Sequence, residues 1–247
     1  MKISACIITK NEERNIERCL SSLFWVDEIV VVDSGSTDKT LEICEKHKCK
    51  IIASEWLGFG PTKNLAVSIA KNNWILSIDS DEEISPLLMK RIQSLDTTKY
   101  NGFLIKRSSY FLGKKIKFSG WQNDYPIRFF NKKYGNFNNE TVHESVILSP
   151  FRTSKINEEI LHYPYTSIFD HLVKINLYSE LSASKMQKKN KKVSILFAIL
   201  SGLIKFIKMY FIKLGFLDGK EGFILSFNSS FAQTIKYLKL WSLNNKQ

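Results

Sequence analysis

Four short apolar runs, Ile3–Ile8, Glu28–Val32, Lys50–Ala53 and Trp74–Ile78, are separated by stretches with helical spacing. This alternation constrains the fold most, because parallel strands need a crossover, usually a helix, between them. Ile16, Leu20, Leu23 and Phe24 mark the first helix, with Thr9-x-x-Glu12 reading as a capping box at its start. Leu41 and Ile43 mark the second; Leu65, Ala66 and Ile69, opened by Pro61, mark the third. The pattern predicts a parallel, doubly wound sheet, whose ligands bind outside the carboxyl ends of the strands. Those ends carry Thr9, Asp33 and Asp79, all polar. Neither G-x-G-x-x-G nor a P-loop occurs, which disfavours a dinucleotide site and a Walker ATPase.

Asp79-Ser80-Asp81 follows the fourth run. Side chains two apart in an extended segment point the same way, so both aspartates can serve one site. Hard oxygen ligands suit Mg²⁺ or Mn²⁺ bridged to substrate phosphates. Helix capping is the competing role, but Ser85 as N-cap and Pro86 at the first position already start the next helix. Asp33, before Ser34-Gly35-Ser36, is either a turn former, with Ser36 capping the next helix, or a carboxylate for a nucleotide base or ribose.

From Asn101 the pattern changes. Gly102–Lys106 and Tyr125–Phe130 read as strands, the segment between them is rich in glycine and aromatics, and Gly135 to Glu144 is irregular and polar. This half reads as a mixed sheet covering the ligand cleft. Beyond Tyr163-Pro164-Tyr165 the chain reads as helical.

Charge is uneven. The 247 residues carry a net +12. Residues 1–150 hold 21 Lys/Arg and 18 Asp/Glu, whereas residues 151–247 hold 15 and 6. The densest cluster is Lys185, Lys188, Lys189, Lys191 and Lys192, which a solvated helix face would also explain. After it comes an apolar stretch, Val193 to Leu217, broken by Lys205, Lys208 and Lys213. Its uncharged run, the twelve residues Val193 to Ile204, falls short of the about 20 apolar residues that span a bilayer. An interfacial helix on an anionic membrane and a core helix are both consistent with it. Ile3 to Thr9 is too short for the apolar region of a signal peptide. Four cysteines without a C-x-x-C or a nearby histidine cluster fit free thiols in a reducing cytosol.

The stretches ACIITKNEERNIERCL, EIVVVDSGSTDKTLEIC and GFGPTKNLAVSIAKNNWILSIDSDEEIS resemble the nucleotide-sugar transferases of glycosyltransferase family 2. WQNDYPIRFFNKKYGNF, VHESV and GFLDGKEGFILSF are similar to the lipopolysaccharide core glucosyltransferase-like branch. The resemblance implies a GT-A, Rossmann-like mixed sheet flanked by helices, with a C-terminal helical extension. It divides the chain into a catalytic domain, 1–165, and a helical region, 166–247. Within the catalytic domain, 1–100 would bind the nucleotide sugar and 101–165 the acceptor.

By the same resemblance, Thr9, Asn11 and Glu13 line the nucleotide pocket and Asp33 holds the base. Lys63 and Asn64 approach the nucleotide or its diphosphate. Asp79, with Ser80 beside it, faces ribose or metal, and Asp81 is the principal ligand of Mg²⁺ or Mn²⁺. Inverting transfer needs a carboxylate base, for which Glu144 and Asp124 are candidates, Glu144 being preferred. Many relatives have a Glu-Asp pair near this point, where this chain has His143-Glu144. His143, Arg128 and Trp121 are expected at the acceptor or a phosphate. The implied enzyme is an inverting, metal-dependent hexosyltransferase using a nucleotide donor, expected to be UDP-linked. Its acceptor would be a membrane-associated glycan such as lipopolysaccharide core, or a polyprenyl phosphate, at the inner face of the cytoplasmic membrane.

Two rivals fit less well. A nucleotidyltransferase normally has a Gly-rich basic loop after its first strand, where this chain has Thr9-Lys10-Asn11-Glu12-Glu13. A nucleic-acid-binding module would rest on the high pI alone and leaves Asp33, Asp79 and Asp81 unexplained.

Overall fold

The computed structural model describes residues 1–140 and 144–245. The first part of the chain runs β1 (Ile3–Thr9), α1 (Ile16–Ser21), β2 (Glu28–Asp33), α2 (Thr40–Lys46), β3 (Lys50–Ala53), α3 (Phe59–Ile69) and β4 (Trp74–Ser77). There follow β5 (Glu82–Ile84), α4 (Pro86–Gln93), β6 (Gly102–Phe111), β7 (Lys114–Lys115), β8 (Ile127–Asn131), β9 (Gly135–Phe137), β10 (Val146–Leu148) and β11 (Thr153–Tyr165). The last part is helical: α5 (Ile168–Gln187), α6 (Ile195–Ile207), a π-helical turn (Lys208–Ile212), a 3-10 turn (Gly215–Asp218) and α7 (Gly219–Asn244).

β1 is buried along its whole length and lies between β2 and β4, parallel to both. β3 extends the parallel set beyond β2. Beyond β4 the direction reverses, because β8 is antiparallel to β4 and to β6. The strand order β3-β2-β1-β4-β8-β6-β11-β5 is therefore a mixed sheet rather than a wholly parallel one. Alternate residues of β1 feed two cores. Ile3, Ala5 and Ile7 pack with Leu20 of α1 and Leu88 of α4; Cys6 and Ile8 pack with Ala66 and Val67 of α3. Helices on both faces explain why these strands are apolar without alternation.

Some local expectations change. Thr9 does not cap a helix: it ends β1, its carbonyl accepts from Ser34 N–H, and α1 starts only at Ile16. The Glu12 carboxylate instead accepts from Asn15 Nδ2 at 2.7 Å. Ser36 likewise does not cap α2, which begins at Thr40. Ser85 does cap α4, accepting from Leu88 N–H, with Pro86 at its first position. β11 has no counterpart among the strands read from sequence. Its two fully buried apolar residues, Ile156 and Ile160, are four apart, a helical spacing, and the residues between are polar.

The chain divides into two compact units, Met1–Arg107 with Asn123–Tyr163, and Ser108–Gln122 with Pro164–Gln247. The sequence reading made a single cut, at 165; here the segment 108–122 groups with the C-terminal helices. Asp218 is the reason. Its carboxylate, 2% exposed, accepts from Lys117 N–H, Phe118 N–H and Ser119 Oγ, while its carbonyl accepts from Lys114 Nζ. A carboxylate buried this deeply is stable only when so satisfied.

In the same unit His171 is buried, with Asn228 Nδ2 at 3.1 Å from its Nδ1. An amide nitrogen donates, so Nδ1 must accept and the ring is neutral. Burial, helped by Lys174, lowers the His171 pKa from 6.5 to about 4. The unfolded chain then binds the proton more readily, so this contribution to stability is complete above pH 6.5 and declines towards pH 4. Urea titrations across that range should show the wild-type midpoint falling with pH, and His171→Gln should flatten this dependence.

Candidate active site

The carboxyl ends of β1 and β2 lie side by side, with Thr9 in register with Asp33. The loops that leave them are tied together. Asn11 Oδ1 accepts from Thr37 N–H at 2.7 Å and Asn11 N–H donates to Ser36 Oγ; Glu13 Oε2 accepts from Lys39 N–H. Asp33 is 3% exposed and closes its own turn, accepting from Gly35 N–H, Ser36 N–H and Ser36 Oγ. The structure thus gives Asn11, Glu13 and Asp33 the work of shaping this pair of loops. Two hydroxyls beside them are different. Thr9 Oγ1 and Ser34 Oγ are buried with no partner among the described residues. Buried polar groups are nearly always paired, so two orphans at adjacent strand ends mark a place for a ligand with donors and acceptors of its own.

α3 supplies the cation. Its N-terminal turn abuts the chain after β9: Gly60 N–H donates to Glu140 O, and a Cβ on Gly60 would lie 2.1 Å from Asn138 O. Asn64 completes the attachment, donating from Nδ2 to Phe137 O and accepting Phe137 N–H on Oδ1. The sequence reading turned Asn64 towards the nucleotide; both ends of its amide are instead engaged by the backbone, because it stands in for a strand neighbour of β9. Lys63, one residue earlier and 4% exposed, points to the carboxylates. Its Nζ is 2.6 Å from Glu144 Oε1 and 2.7 Å from Asp79 Oδ1.

From Asp79 the contacts continue. Arg128 reaches Asp79 at 2.5 Å and Glu82 at 2.7 Å; Arg107 reaches Glu82 at 3.5 Å and Asp124 at 2.7 Å. Glu144, Lys63, Asp79, Arg128, Glu82, Arg107 and Asp124 thus form one chain of alternating charge, with the two candidate bases at its ends. Burial alone would raise the Asp79 carboxyl, but Arg128 and Lys63 override it and hold it well below the usual carboxylate range. Arg128 Nε is also buried without a partner among the described residues, as are Arg18 Nε and Glu28 Oε1 elsewhere in this unit.

The Asp81 carboxylate lies 3.5 Å from His162 Nε2 of β11. Four carboxylates against three cations leave the alternating chain one negative charge in excess. Among the described residues no group of three or more His, Cys, Asp or Glu side chains is arranged to hold a metal. A cation here would draw most of its ligands from phosphate and water, as Mg²⁺ does, with Asp81 and the D-x-D turn as its hard oxygen donors. The donor chemistry fits that group.

Ser80 is buried within the turn. Trp121 belongs to the other unit, packed edge-on to Phe111 with its ring 6.2 Å away and tilted against Tyr165. His143 lies outside the described residues. The sequence reading assigned no role to Ser34, Glu82, Arg107 or His162. Position next to Asp33 and to the D-x-D turn was a signal for Ser34 and Glu82; Arg107 and His162 are brought in only by strand pairing.

Arg128→Met would leave Glu82, whose side chain is fully buried, with the Asp79 N–H and, among the described cations, only Arg107 at 3.5 Å. A loss of about 3–5 kcal/mol is expected, as for other broken buried pairs. It would be read as a lower urea midpoint at unchanged slope. Adding Glu82→Leu should recover part of the loss.

Residues 4–159 match the sequence profile of glycosyl transferase family 2. An uncharacterized glycosyltransferase of Rickettsia bellii (strain RML369-C) is 36% identical over 98% of this chain and 87% of its own length. The lipopolysaccharide core biosynthesis glycosyltransferase LpsC of Rhizobium meliloti (strain 1021) is 25% identical over 91% of this chain and 86% of its own. The crystal structure of S. aureus TarS 1-349 in complex with UDP superposes with a TM-score of 0.49 at 18% identity, covering 100% of this chain and 92% of that one. The chain belongs to glycosyl transferase family 2.

Proposed function

We propose that this glycosyltransferase moves a hexose from a nucleoside diphosphate sugar, with uridine as the base, to a hydroxyl of a membrane-associated glycan, inverting the anomeric carbon. The observation that carries the proposal is the alternating charge chain, which runs from the D-x-D turn to both candidate base carboxylates. In this reading the nucleoside occupies the carboxyl ends of β1 and β2, where Thr9 Oγ1 and Ser34 Oγ lack partners among the described residues. Asp33, accepting from Gly35 N–H and Ser36 N–H, holds the turn that follows Ser34.

Asp81, with Asp79, would hold Mg²⁺ or Mn²⁺, which when bound would offset the charge that develops on the departing diphosphate. Lys63 and Arg128 add fixed positive charge beside Asp79, preorganised by burial rather than recruited during the reaction. Glu144 is the base: it takes the proton of the acceptor hydroxyl while that oxygen bonds to the anomeric carbon and the bond to the diphosphate breaks. Its side chain is 18% exposed against 39% for Asp124, so it is better shielded from water. Lys63, 2.6 Å from Glu144 Oε1, fixes where that carboxylate stands.

A lipopolysaccharide core acceptor is supported by the relation to LpsC. A polyprenyl phosphate acceptor is the alternative that the same donor site would serve. Three buried free cysteines, Cys6, Cys19 and Cys44, fit a reducing compartment and hence the cytoplasmic face of the membrane.

UDP release from a panel of UDP-hexoses, with Mg²⁺ or Mn²⁺ supplied, tests the proposal. Glu144→Gln should lower kcat by about 10²–10⁴-fold while donor binding by thermal shift persists. Asp124→Asn should have a much smaller effect, and Asp81→Ala should abolish metal-dependent donor binding. A folded protein that binds no nucleotide sugar would refute the reading.

A further inference from the structure

The helices of the second unit present an apolar surface that the transferase chemistry does not use. In α6 only Ala198 and Gly202 are buried. Leu196, Leu200, Leu203 and Ile204 are exposed, Leu196 by 66% and Ile204 by 63%. The surface continues onto α7 through rings: Phe206 lies 5.9 Å from Phe223, which stacks on Phe227 at 6.3 Å. A contiguous apolar face of this kind is rare on a monomer that faces only water.

Charge says what covers it. The second unit holds 16 lysines and four carboxylates; taking these from the totals of 36 and 24 leaves 20 and 20 in the first unit. The whole +12 therefore sits in the unit that carries the apolar face. Lys188, Lys189, Lys191 and Lys192 are exposed and lead directly into the N-terminus of α6. Cations there oppose the helix dipole, so helix stability does not explain them. A second copy of the chain would bring two such basic units together. An anionic bilayer satisfies both features, taking the apolar side chains into its headgroup boundary and the lysines among its phosphates.

We infer that α6 and the start of α7 dock this protein onto an anionic lipid surface, lying in the interface rather than crossing it. By length and composition alone Ile195–Ile212 is long and apolar enough to cross a membrane, but it includes Lys205 and Lys208 and its last five residues are a π-helical turn. Charged residues inside a span are costly, whereas at an interface they reach the headgroups. The inference is independent of the catalytic reading, since it uses none of the site residues.

Vesicle flotation of the full chain tests it. The protein should float with phosphatidylcholine vesicles containing phosphatidylglycerol, weakly with phosphatidylcholine alone, and less as salt rises. Replacing Lys188, Lys189, Lys191 and Lys192 together by Glu should weaken binding by roughly a hundredfold or more, at about 1 kcal/mol per lysine. Leu200→Glu with Ile204→Glu should abolish it; both positions are exposed, and far-UV circular dichroism checks the fold. Basal donor hydrolysis in solution should be unchanged in both variants, which separates failure of docking from failure of the enzyme. Absence of native binding, equal binding to neutral vesicles, or retention by either variant would overturn the inference. So would a lipid-free dimer that Ile204→Glu dissociates.

Discussion

Lys63 is the point on which the first unit depends. Its ammonium is almost completely buried and lies between two carboxylates that come from parts of the chain far apart in sequence, Asp79 and Glu144. Burying an ion costs several kcal/mol unless geometry and partners compensate. α3, the D-x-D turn and the segment after β9 must therefore stay in register with each other. Gly60 and Asn64, on the same helix, secure this by direct attachment to residues 137–140. A site built from distant segments then has the rigidity that preorganised electrostatics requires.

The rest of the charge chain extends the constraint across the sheet. Glu82 begins β5, Arg128 lies in β8 and Arg107 in β6, so three strands contribute alternating charges. Such pairs contribute little net stability compared with apolar packing, yet each is costly to break singly. What they provide is position: two carboxylates are held at the ends of one connected array, and only neighbours of opposite charge separate them. The second unit follows another logic. One buried carboxylate, Asp218, gathers a hairpin segment to the helices, and the helices leave large apolar side chains in solvent.

Much of this was legible in the residues. The first four strands and three crossover helices follow from apolar runs and spacing, and Asp33, Asp79 and Asp81 stand out as polar residues at or just beyond strand ends. The strand β11 was not legible, because Ile156 and Ile160 are spaced as in a helix and become buried only by pairing with neighbours already in the sheet. Thr9-x-x-Glu12 misleads for the converse reason. It has the composition of a capping box, but the ladder with β2 keeps Thr9 extended.

The sequence by itself determined the alternating α/β core, the family and the acidic turn, since these depend on local pattern and order along the chain. It also located the lysine-rich, apolar C-terminal third. Only the tertiary structure decided which charges meet. Lys63 and Glu144 are 81 residues apart, and no local pattern encodes a contact over that distance. The same holds for the second unit's whole +12, which emerges only when the segment 108–122 folds against the C-terminal helices. Long-range ion pairs and unit boundaries are set by which buried groups can satisfy one another, a property of the packed fold rather than of neighbours in sequence.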